Sequence, residues 1–348
     1  MPSPESSQEQ YIKAETEKVL KRWKKNPAYL ASSSSFRRKG MEEMGFEDVK
    51  AEVIPDEVER NAYEEYEKNF SPTFWEKKAI EHTAKVATAK LKAMKVPKDC
   101  LGIALDTMPY RFDKNPEFGK DMNSGSFWQA EAMHKPETLD KAKAEVINSF
   151  LLLIRNYLRS LVSIKKMIGG EPPSEDLLYG LKMMNFATTI EVITSTAIKF
   201  PDSKDIHTYP SKVRLLPRKI YQLAKLIFKE MEKELKPGQN VEDGYKYISN
   251  DLEADDLRHR VLNGRDVEEN LAEMATEIFI IMAQEGTEPT KISGGINYGS
   301  EAVRNYLNIE EVSLVDDEVE DGVYLGFPRE NIEKVINDKA ISVAMQNL

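Results

Sequence analysis

The feature that most limits what this chain can fold into is a run of apolar residues between positions 137 and 168. Apolar side chains recur there at steps of three and four residues, which places them on one face of an α-helix. Gly169 and Gly170 follow the run and predict where the helix ends. The sequence therefore predicts one long helix with a continuous apolar face. The residues that form this face are Leu139, Ala142, Val146, Phe150, Leu153, Tyr157, Leu161, Ile164 and Ile168.

Similar spacing predicts further helices along most of the chain. With 17 glycines and 17 prolines among 348 residues, the chain has fewer turn-forming residues than a β-sandwich or barrel needs. We predict a mainly α fold: a two-lobed helical body with an extended N-terminal arm, a C-terminal segment and few short strands, near 101–105 and 312–325. The predicted helices cover residues 11–25, 56–70, 71–95, 137–168, 175–200, 217–236, 252–262, 266–285, 298–309 and 328–346.

Changes in composition divide the chain into four predicted segments. The serine run Ser32–Ser35 and the basic residues that follow it are typical of a linker, and the polar loop 201–212 is where two helical lobes are predicted to divide. Residues 310–321 contain seven carboxylates and no basic residue, which favours a solvated loop. The four segments are an N-terminal arm at 1–55, an N-terminal lobe at 56–205, a C-terminal lobe at 206–310, and an acidic loop with a C-terminal helix at 311–348.

The predicted arm carries a short amphipathic helix with Ile12, Val19 and Trp23 on one face. A lone helix of that length is marginal in water, so it needs a partner surface. We expect residues 1–40 to leave the body and to pack on a neighbouring copy of the chain.

Charge and cysteine content limit the possible partners of the protein and the cellular compartment in which it is expected. The formal net charge of −10 argues against indiscriminate binding to nucleic acid, although local basic patches can still bind it. The single cysteine, Cys100, cannot form an intrachain disulfide, which favours a reducing compartment. The N-terminus lacks the apolar core of a secretory signal, and no apolar run approaches the roughly 20 residues that span a bilayer. We expect a cytoplasmic protein, with the nucleus as an alternative.

Sequence motifs of common catalytic and cofactor sites are absent. The chain has no GxxxxGK[ST], GxGxxG or GxSxG, so neither a phosphate-cradling glycine loop nor a nucleophile elbow is predicted. Asp99 precedes Cys100, and a neighbouring carboxylate raises the pKa of a thiol. We therefore expect no enzymatic activity, no catalytic residue and no cofactor.

Two histidines stand three residues after a carboxylate, the spacing by which di-iron helical bundles present both ligands on one helix face. A proline ends the first segment soon afterwards, and arginines flank the second histidine and would repel a metal. Surface or capping histidines are favoured, and no metal is expected. A helical metalloprotein or enzyme that uses His134 and His259 is kept as an alternative. The two pairs are Glu131–His134 and Asp256–His259.

Two segments are basic in a chain that is otherwise acidic. Residues 138–170 carry six basic and two acidic side chains, and residues 204–229 carry seven basic and one acidic. Ordinary solvated helix faces, paired with the abundant carboxylates, would explain these excesses. A phosphate-binding groove between two lobes would explain them as well. The residues predicted to bind nucleic acid in such a groove are Arg155, Arg159, Lys166, Lys212, Arg214, Arg218, Lys225 and Lys229.

In size, helical class and charge layout the whole chain resembles nucleoproteins of negative-strand RNA viruses. The resemblance implies a self-assembling protein that coats RNA independently of sequence and contacts neighbouring copies through its N-terminal arm and C-terminal segment. It also implies a place in the virion. The sequence does not distinguish between RNA and DNA as the nucleic acid that is bound. A scaffold or adaptor protein without nucleic acid is a further alternative.

Overall fold

The structure is a computed structural model that describes residues 4–32, 34–55, 57–58, 75–114, 128–168, 188–234, 254–312 and 329–346. Several expectations lie outside these residues. They are the helix at 56–70 except for residues 57 and 58, the first part of the helix at 175–200, and most of the acidic loop that is predicted after residue 310.

The described helices agree with the sequence where its apolar periodicity is long. The predicted helices at 137–168, 217–236, 266–285 and 328–346 are confirmed, as α4, α5, α7 and α9. Short 3-10 turns lie at Pro289–Lys291 and Ser293–Gly295. The helices are α1 Pro4–Lys25, α2 Ser35–Glu43, α3 Trp75–Ala93, α4 Leu139–Ile168, α5 Arg218–Glu234, α6 Ala254–Arg258, α7 Val267–Gln284, α8 Glu301–Leu307 and α9 Arg329–Gln346.

The strands overturn the predicted fold class. Within the described residues seven strands form one mixed sheet with the order β2-β1-β3-β5-β6-β9, and β4 pairs with β3 beside this path. The mainly α, two-lobed body with an extended arm is therefore wrong, and the fold is α/β. The strands are β1 Ala28–Ala31, β2 Val49–Ala51, β3 Leu101–Lys114, β4 Trp128–Ala132, β5 Ile190–Lys199, β6 Ile206–Pro217, β7 Val261–Leu262, β8 Arg265–Asp266 and β9 Ile309–Val312.

Strand β5 shows why the sequence predicts a helix where the structure has a strand. Its apolar residues fit helical steps, which predict a helix through 175–200. Eight of the twelve residues from Thr188 to Lys199 are β-branched, and such side chains favour extended backbone. All positions of β5 except the last are buried, so no alternation of apolar and polar residues reveals the strand. The predicted linker with its basic tail and the predicted loop at 201–212 are likewise corrected, since α2 begins at Ser35 and β6 begins at Ile206.

The chain divides into two compact units, each assembled from segments far apart in sequence. Unit 1 comprises Met1–Thr107, Ile193–Lys212 and Glu318–Leu348, and unit 2 comprises Met108–Val192 and Val213–Asp317. The strands β3, β5 and β6 each contribute residues to both units. Composition along the chain predicts four consecutive segments instead, because it carries no information about which segments meet.

Unit 1 builds its core on two faces of parallel strands. β1 pairs in parallel with β2 and with β3, and its last residue Ala31 lies opposite Ala104. One core contains the alternate β3 residues Leu101, Ile103 and Leu105 and the apolar faces of α1, α2 and α9. The other contains Ala31, Ala104 and residues of α3. Successive side chains of a strand point to opposite faces, so helices cover both sides of these strands.

Unit 2 is organised around α4. Every described side chain of α4 from Phe150 to Val162 is buried, which makes the helix a central element rather than a surface one. The aromatic rings of Tyr157 on α4 and Tyr221 on α5 lie 4.9 Å apart, so these two helices pack directly on each other. The predicted core position of Tyr157 is confirmed, since its side chain is 0% exposed.

The α1 helix belongs to the core of its own chain. Val19 and Trp23 are buried with residues of β1, β3 and α9, and the ring of Trp23 lies 5.9 Å from that of Phe200. These two side chains are therefore not available to hold a neighbouring copy. The packing of residues 1–40 on another copy stays a prediction.

Replacing Trp23 by alanine tests this packing. Trp23 is 1% exposed, and a Trp-to-Ala change in a core costs roughly 3–5 kcal/mol. We expect W23A to lower the free energy of unfolding by about that amount in denaturant titrations. Tyr11 is a matched control because it lies on the same helix and is 47% exposed, so Y11A should change little. Equal stabilities of W23A and Y11A would contradict the packing.

Candidate functional site

The topology itself points to one place for a ligand. β1 continues through α2 to β2 on one side, whereas its other neighbour is β3, so the strand order reverses around β1. In open α/β sheets ligands bind beyond the carboxyl ends of parallel strands at such a switch point. β1 ends at Ala31, but β3 continues to Lys114. The part of β3 that follows Ala104 therefore borders the space beyond the end of β1.

A serine-containing turn and the start of α2 lie at this position. The hydroxyl oxygen of Ser32 accepts a hydrogen bond from the backbone nitrogen of Ser34 at 3.2 Å. Ser34 is the N-cap of α2, and its hydroxyl oxygen accepts from the backbone nitrogen of Arg37 at 3.4 Å. The N–H groups in the first turn of a helix have no acceptor within the helix and favour negative charge. The turn after β1 thus brings hydroxyls and backbone donors together.

Arg37 connects this helix to the neighbouring strand. Its Nη1 donates to the hydroxyl of Ser32 and to the carbonyl oxygen of Leu105, both at 3.4 Å. Its Nη2 donates to Oγ1 of Thr107 at 3.2 Å. The guanidinium group is therefore fixed at the carboxyl end of β1 by acceptors on two elements.

A second cation reaches the same place from the opposite face of the sheet. Lys90 on α3 donates from Nζ to Oδ1 of Asp106 at 2.8 Å and to the carbonyl oxygen of Leu105 at 3.4 Å. Both side chains of this ion pair are more than nine-tenths buried. The carbonyl oxygen of Leu105 thus receives hydrogen bonds from Lys90 and from Arg37. Arg37 and Lys90, which come from helices on opposite faces of the sheet, therefore donate to the same carbonyl oxygen beyond the end of β1.

Asp106 retains one oxygen atom for another partner. Its Oδ2 atom is buried and has no hydrogen-bond partner among the described residues. A buried acceptor without a partner costs free energy, and such an atom in a native protein calls for an explanation. A ligand with a hydroxyl or amino group that donates to Oδ2 would provide one.

Hydroxyl groups extend the polar surface toward β5 and β6. Oγ1 of Thr107 and Oγ1 of Thr194 lie 3.1 Å apart, and Ser211 donates from its hydroxyl to the carbonyl oxygen of Thr194 at 3.3 Å. On the α3 face, the hydroxyls of Thr83 and Ser195 lie 2.7 Å apart. The interior of unit 1 is therefore polar along this part of the sheet, although apolar cores surround it.

The chemistry of this arrangement is anion binding. Two fixed cations lie beside a helix N-terminus and serine hydroxyls. The two cations and the backbone N–H groups are donors, and donors at a helix N-terminus are the usual surroundings of a bound phosphate, while Asp106 adds an acceptor beside them. The arginine adds a planar fork that matches a phosphate with two hydrogen bonds. We call the set Ser32, Ser34, Arg37, Lys90, Asp106 and Thr107 the β1-end site.

The basic residues predicted to bind nucleic acid are placed differently. Most of those whose side chains are described contact carboxylates or lie in the interior. Arg155 pairs with Asp113, Lys212 with Glu76 at 2.8 Å, Arg214 with Glu191 at 2.9 Å and Arg218 with Glu310, while Arg159 is 1% exposed. Lys225 lies over the ring of Tyr221 at 5.2 Å from its centroid, and Lys229 is exposed on α5. Lys166 lies outside the described side chains.

These positions do not favour the predicted groove. The helices that carry Arg155 and Arg218 pack directly on each other through Tyr157 and Tyr221. An arginine that is engaged by a buried carboxylate would have to break that pair to bind a phosphate. RNA binding at these residues stays a prediction.

The Glu131–His134 pair does not have the helical geometry on which the metal-site alternative depends. Glu131 lies in the strand β4, not in a helix, and its carboxylate pairs with Arg111 at 2.9 Å, so the helical spacing to His134 does not exist. His259 follows the short helix α6 and is exposed. Across the described ranges, no group of three or more histidine, cysteine, aspartate or glutamate side chains is arranged to hold a metal ion.

Cys100 has the environment of an inert thiol. Its side chain is buried, and burial together with the neighbouring Asp99 raises the pKa of the thiol, as expected from the sequence. The thiol lies 3.7 Å from a carboxylate oxygen of Asp99 and can donate to it. Because only the thiolate is a good nucleophile, Cys100 is not a candidate for covalent chemistry.

The β1-end site is not predicted by the sequence. Its residues lie between positions 32 and 107, and none belongs to a recognised catalytic or cofactor motif. The one local signal is the order of three features along the chain. The short apolar segment Ala28–Ala31 comes first, a serine turn follows it, and a helix capped by Ser34 begins after the turn. A strand, a capping turn and a helix in that order predict a helix N-terminus at a strand end. Serine runs are equally typical of linkers, which is why this one predicts the wrong element.

No protein-family model matches the chain, and no curated protein matches its sequence. In the part of the chain that is described, no helix is both long and apolar enough to cross a membrane.

The buried pair of Arg214 and Glu191 permits a test of the predicted groove. Glu191 is 0% exposed, and removing one partner of a buried ion pair costs roughly 3–5 kcal/mol. We expect R214M to lower the free energy of unfolding by about that amount, measured with guanidinium chloride. K229M, at an exposed position of α5, is the control and should be as stable as the unchanged protein. If R214M were fully stable, Arg214 would be available for a ligand.

Proposed function

We propose that this protein binds the phosphate group of a small phosphorylated ligand at the β1-end site. The observation that carries the proposal is the meeting of Arg37 and Lys90 at the carbonyl oxygen of Leu105, beside the N-terminus of α2. Lys90 is paired with Asp106, and an anion placed beside Arg37 and Lys90 would add a favourable charge interaction with both cations. The helix N-terminus adds to the same attraction.

The geometry supports a phosphate more than a carboxylate. A phosphate presents three or more acceptor oxygens in a tetrahedron, and the donors here come from three directions: the helix start, Arg37 and the serine hydroxyls. A planar carboxylate has two acceptor atoms and would leave part of this set unused. The ligand is small, because Lys90 is held in the interior of unit 1, where it is 6% exposed, and Arg37 is half-buried.

Asp106 is proposed to recognise the rest of the ligand. Its Oδ2 atom is the buried acceptor that has no partner within the described residues, so a donor on the ligand next to the phosphate is expected to bind there. A hydroxyl or an amino group would satisfy it. The proposed ligand therefore combines a phosphate with a neighbouring hydrogen-bond donor.

The coating of RNA remains a separate prediction. RNA also presents phosphates, but along an extended backbone that needs an open basic surface. Arg155, Arg214 and Arg218, which are predicted for that surface, are engaged with carboxylates in unit 2. Assembly through neighbouring copies also stays a prediction. Binding of RNA without binding of small phosphates is the outcome that would favour the RNA-coating hypothesis.

Titration with inorganic phosphate and with pyrophosphate tests the proposal. We expect saturable binding by calorimetry, weakened by added salt because the interaction is between charges. R37M should weaken binding roughly tenfold or more, since a charge-assisted hydrogen bond is worth roughly 1.5–3 kcal/mol. R38M is the matched control: Arg38 is the next residue, half-exposed, and pairs with Glu42 at 3.0 Å. It should bind like the unchanged protein.

A further variant and a competing ligand distinguish loss of phosphate binding from loss of folding and from general anion binding. R37K retains the charge without the planar fork, so its affinity for phosphate is expected to lie between those of R37M and the unchanged protein. Loss of folding in R37M would show as a lowered melting temperature. Acetate at matched ionic strength should not compete. The proposal is overturned if neither phosphate nor pyrophosphate binds, or if R37M and R38M bind equally well. Binding of a single-stranded RNA by both variants, with no pyrophosphate binding, would place phosphate recognition elsewhere.

A further inference from the structure

Basic side chains are concentrated in unit 1 where β1 and β3 begin, at the opposite end of β1 from the β1-end site. Three segments meet there: the end of α1, the turn between α3 and β3, and the turn between β5 and β6. Over the ranges 21–26, 92–99 and 202–205 they carry eight basic and three acidic side chains, in a chain whose formal net charge is −10. The charge of this surface is thus opposite in sign to that of the whole chain.

Two hydrogen bonds and an ion pair hold the three segments together. Nδ2 of Asn26 donates to the carbonyl oxygen of Asp99 at 3.0 Å, which joins the end of α1 to the turn before β3. The backbone nitrogen of Asp202 donates to the carbonyl oxygen of Lys98 at 2.7 Å. Arg22 lies 3.7 Å from a carboxylate oxygen of Asp202. The basic side chains of these segments therefore belong to one surface.

Most cations of this surface are available to a partner. Six lysines are exposed, and none of them forms an ion pair with a described residue. A lysine in the last turn of a helix offsets the helix dipole, which accounts for Lys25 and Lys92. Lys98 and Lys204 lie outside the helices and have no such role. We call the six lysines the β1-start patch: Lys21, Lys25, Lys92, Lys95, Lys98 and Lys204.

We infer that the β1-start patch binds the phosphate backbone of a nucleic acid. The helices α1 and α3 pack on opposite faces of the strands, so the lysines are spread across the thickness of unit 1. Such a spread suits a chain of phosphates more than a single small anion. A polyanion that neutralises several of these lysines releases its condensed counterions, and this release supplies most of the free energy of sequence-independent binding.

The side chains of the patch favour nucleic acid over a lipid surface. None of the large apolar side chains that are exposed in the described residues belongs to the three segments. Apolar or aromatic side chains are needed to insert into a membrane interface and to stack on bases. Lysine contacts a phosphate as a point charge, and phosphate contacts carry no sequence information. Binding should therefore be independent of base sequence.

This inference does not depend on the proposed phosphate binding, because no residue of the β1-end site belongs to the patch. The remainder of the chain is acidic and repels a polyanion. A nucleic acid is therefore directed to the patch, and removal of charge there should have a larger effect than removal of the same charge elsewhere.

Anisotropy of a fluorescein-labelled oligouridylate over a series of salt concentrations tests the inference. For K25Q/K92Q/K98Q/K204Q we expect the affinity at low salt to fall roughly tenfold or more. The plot of log affinity against log salt concentration should become shallower by up to about 3, since each phosphate neutralised on a single strand contributes roughly 0.7 to the slope. Lys95 is left unchanged because its φ of 52° is in the left-handed region.

K13Q/K77Q/K229Q/K291Q is the matched control, because it removes the same charge from exposed lysines outside the patch. It should bind the oligouridylate like the unchanged protein, and both variants should keep their melting temperature. If the patch variant is unstable, K25Q/K204Q and K92Q/K98Q should each show about half of the change in slope. The inference is overturned if the oligouridylate does not bind, or if the patch and control variants bind it alike. Binding to phosphatidylserine vesicles without binding to the oligouridylate overturns it as well.

Discussion

The structure depends on the burial of the strand β3 from both sides. Most of its described side chains are in the interior, and the buried Asp106 is among them. A charge taken out of water is tolerated only when it is paired and hydrogen-bonded. Asp106 is therefore paired with Lys90 of α3, and the buried guanidinium group of Arg155 on α4 is paired with Asp113 of β3, which is itself 45% exposed. Arg111 contacts Glu131 and two groups of α4, and its pKa is raised because these carboxylates outweigh the effect of burial.

The same constraint produces the β1-end site. β1 stops at Ala31, whereas β3 continues, so the groups of β3 beyond Ala104 on that side meet other partners. The carbonyl oxygen of Leu105 is satisfied by two cationic side chains. A difference in length between neighbouring strands thus brings a set of donors to the end of the shorter strand. The site follows from how the sheet is completed, and its cations also stabilise the strand that they border.

The use of cations inside the protein also bears on the predicted nucleic-acid surface. The chain has an excess of ten negative charges, and its basic segments predict a surface for nucleic acid. In unit 2 the arginines of those segments instead neutralise buried or half-buried carboxylates such as Glu191 and Glu310. The charge of a segment is a sum along the sequence, whereas the field at a surface depends on which of those charges are paired in space.

The sequence by itself determined the helices α4, α5, α7 and α9, because the periodicity of a helix with one apolar face is local and survives without knowledge of its neighbours. It also predicted a strand near 101–105, which is the start of β3, but it could not determine the rest of the sheet. β5 and most of β3 are buried on both faces, so they lack the alternation that reveals a strand, and β1 is only four residues long. The β1-end site was equally out of reach. Ser32, Arg37, Lys90 and Asp106 are scattered over more than seventy positions, and only the parallel register of β1 with β3 brings them together at the end of β1. Local spacing encodes a helix, but the pairing of distant strands decides which side chains meet.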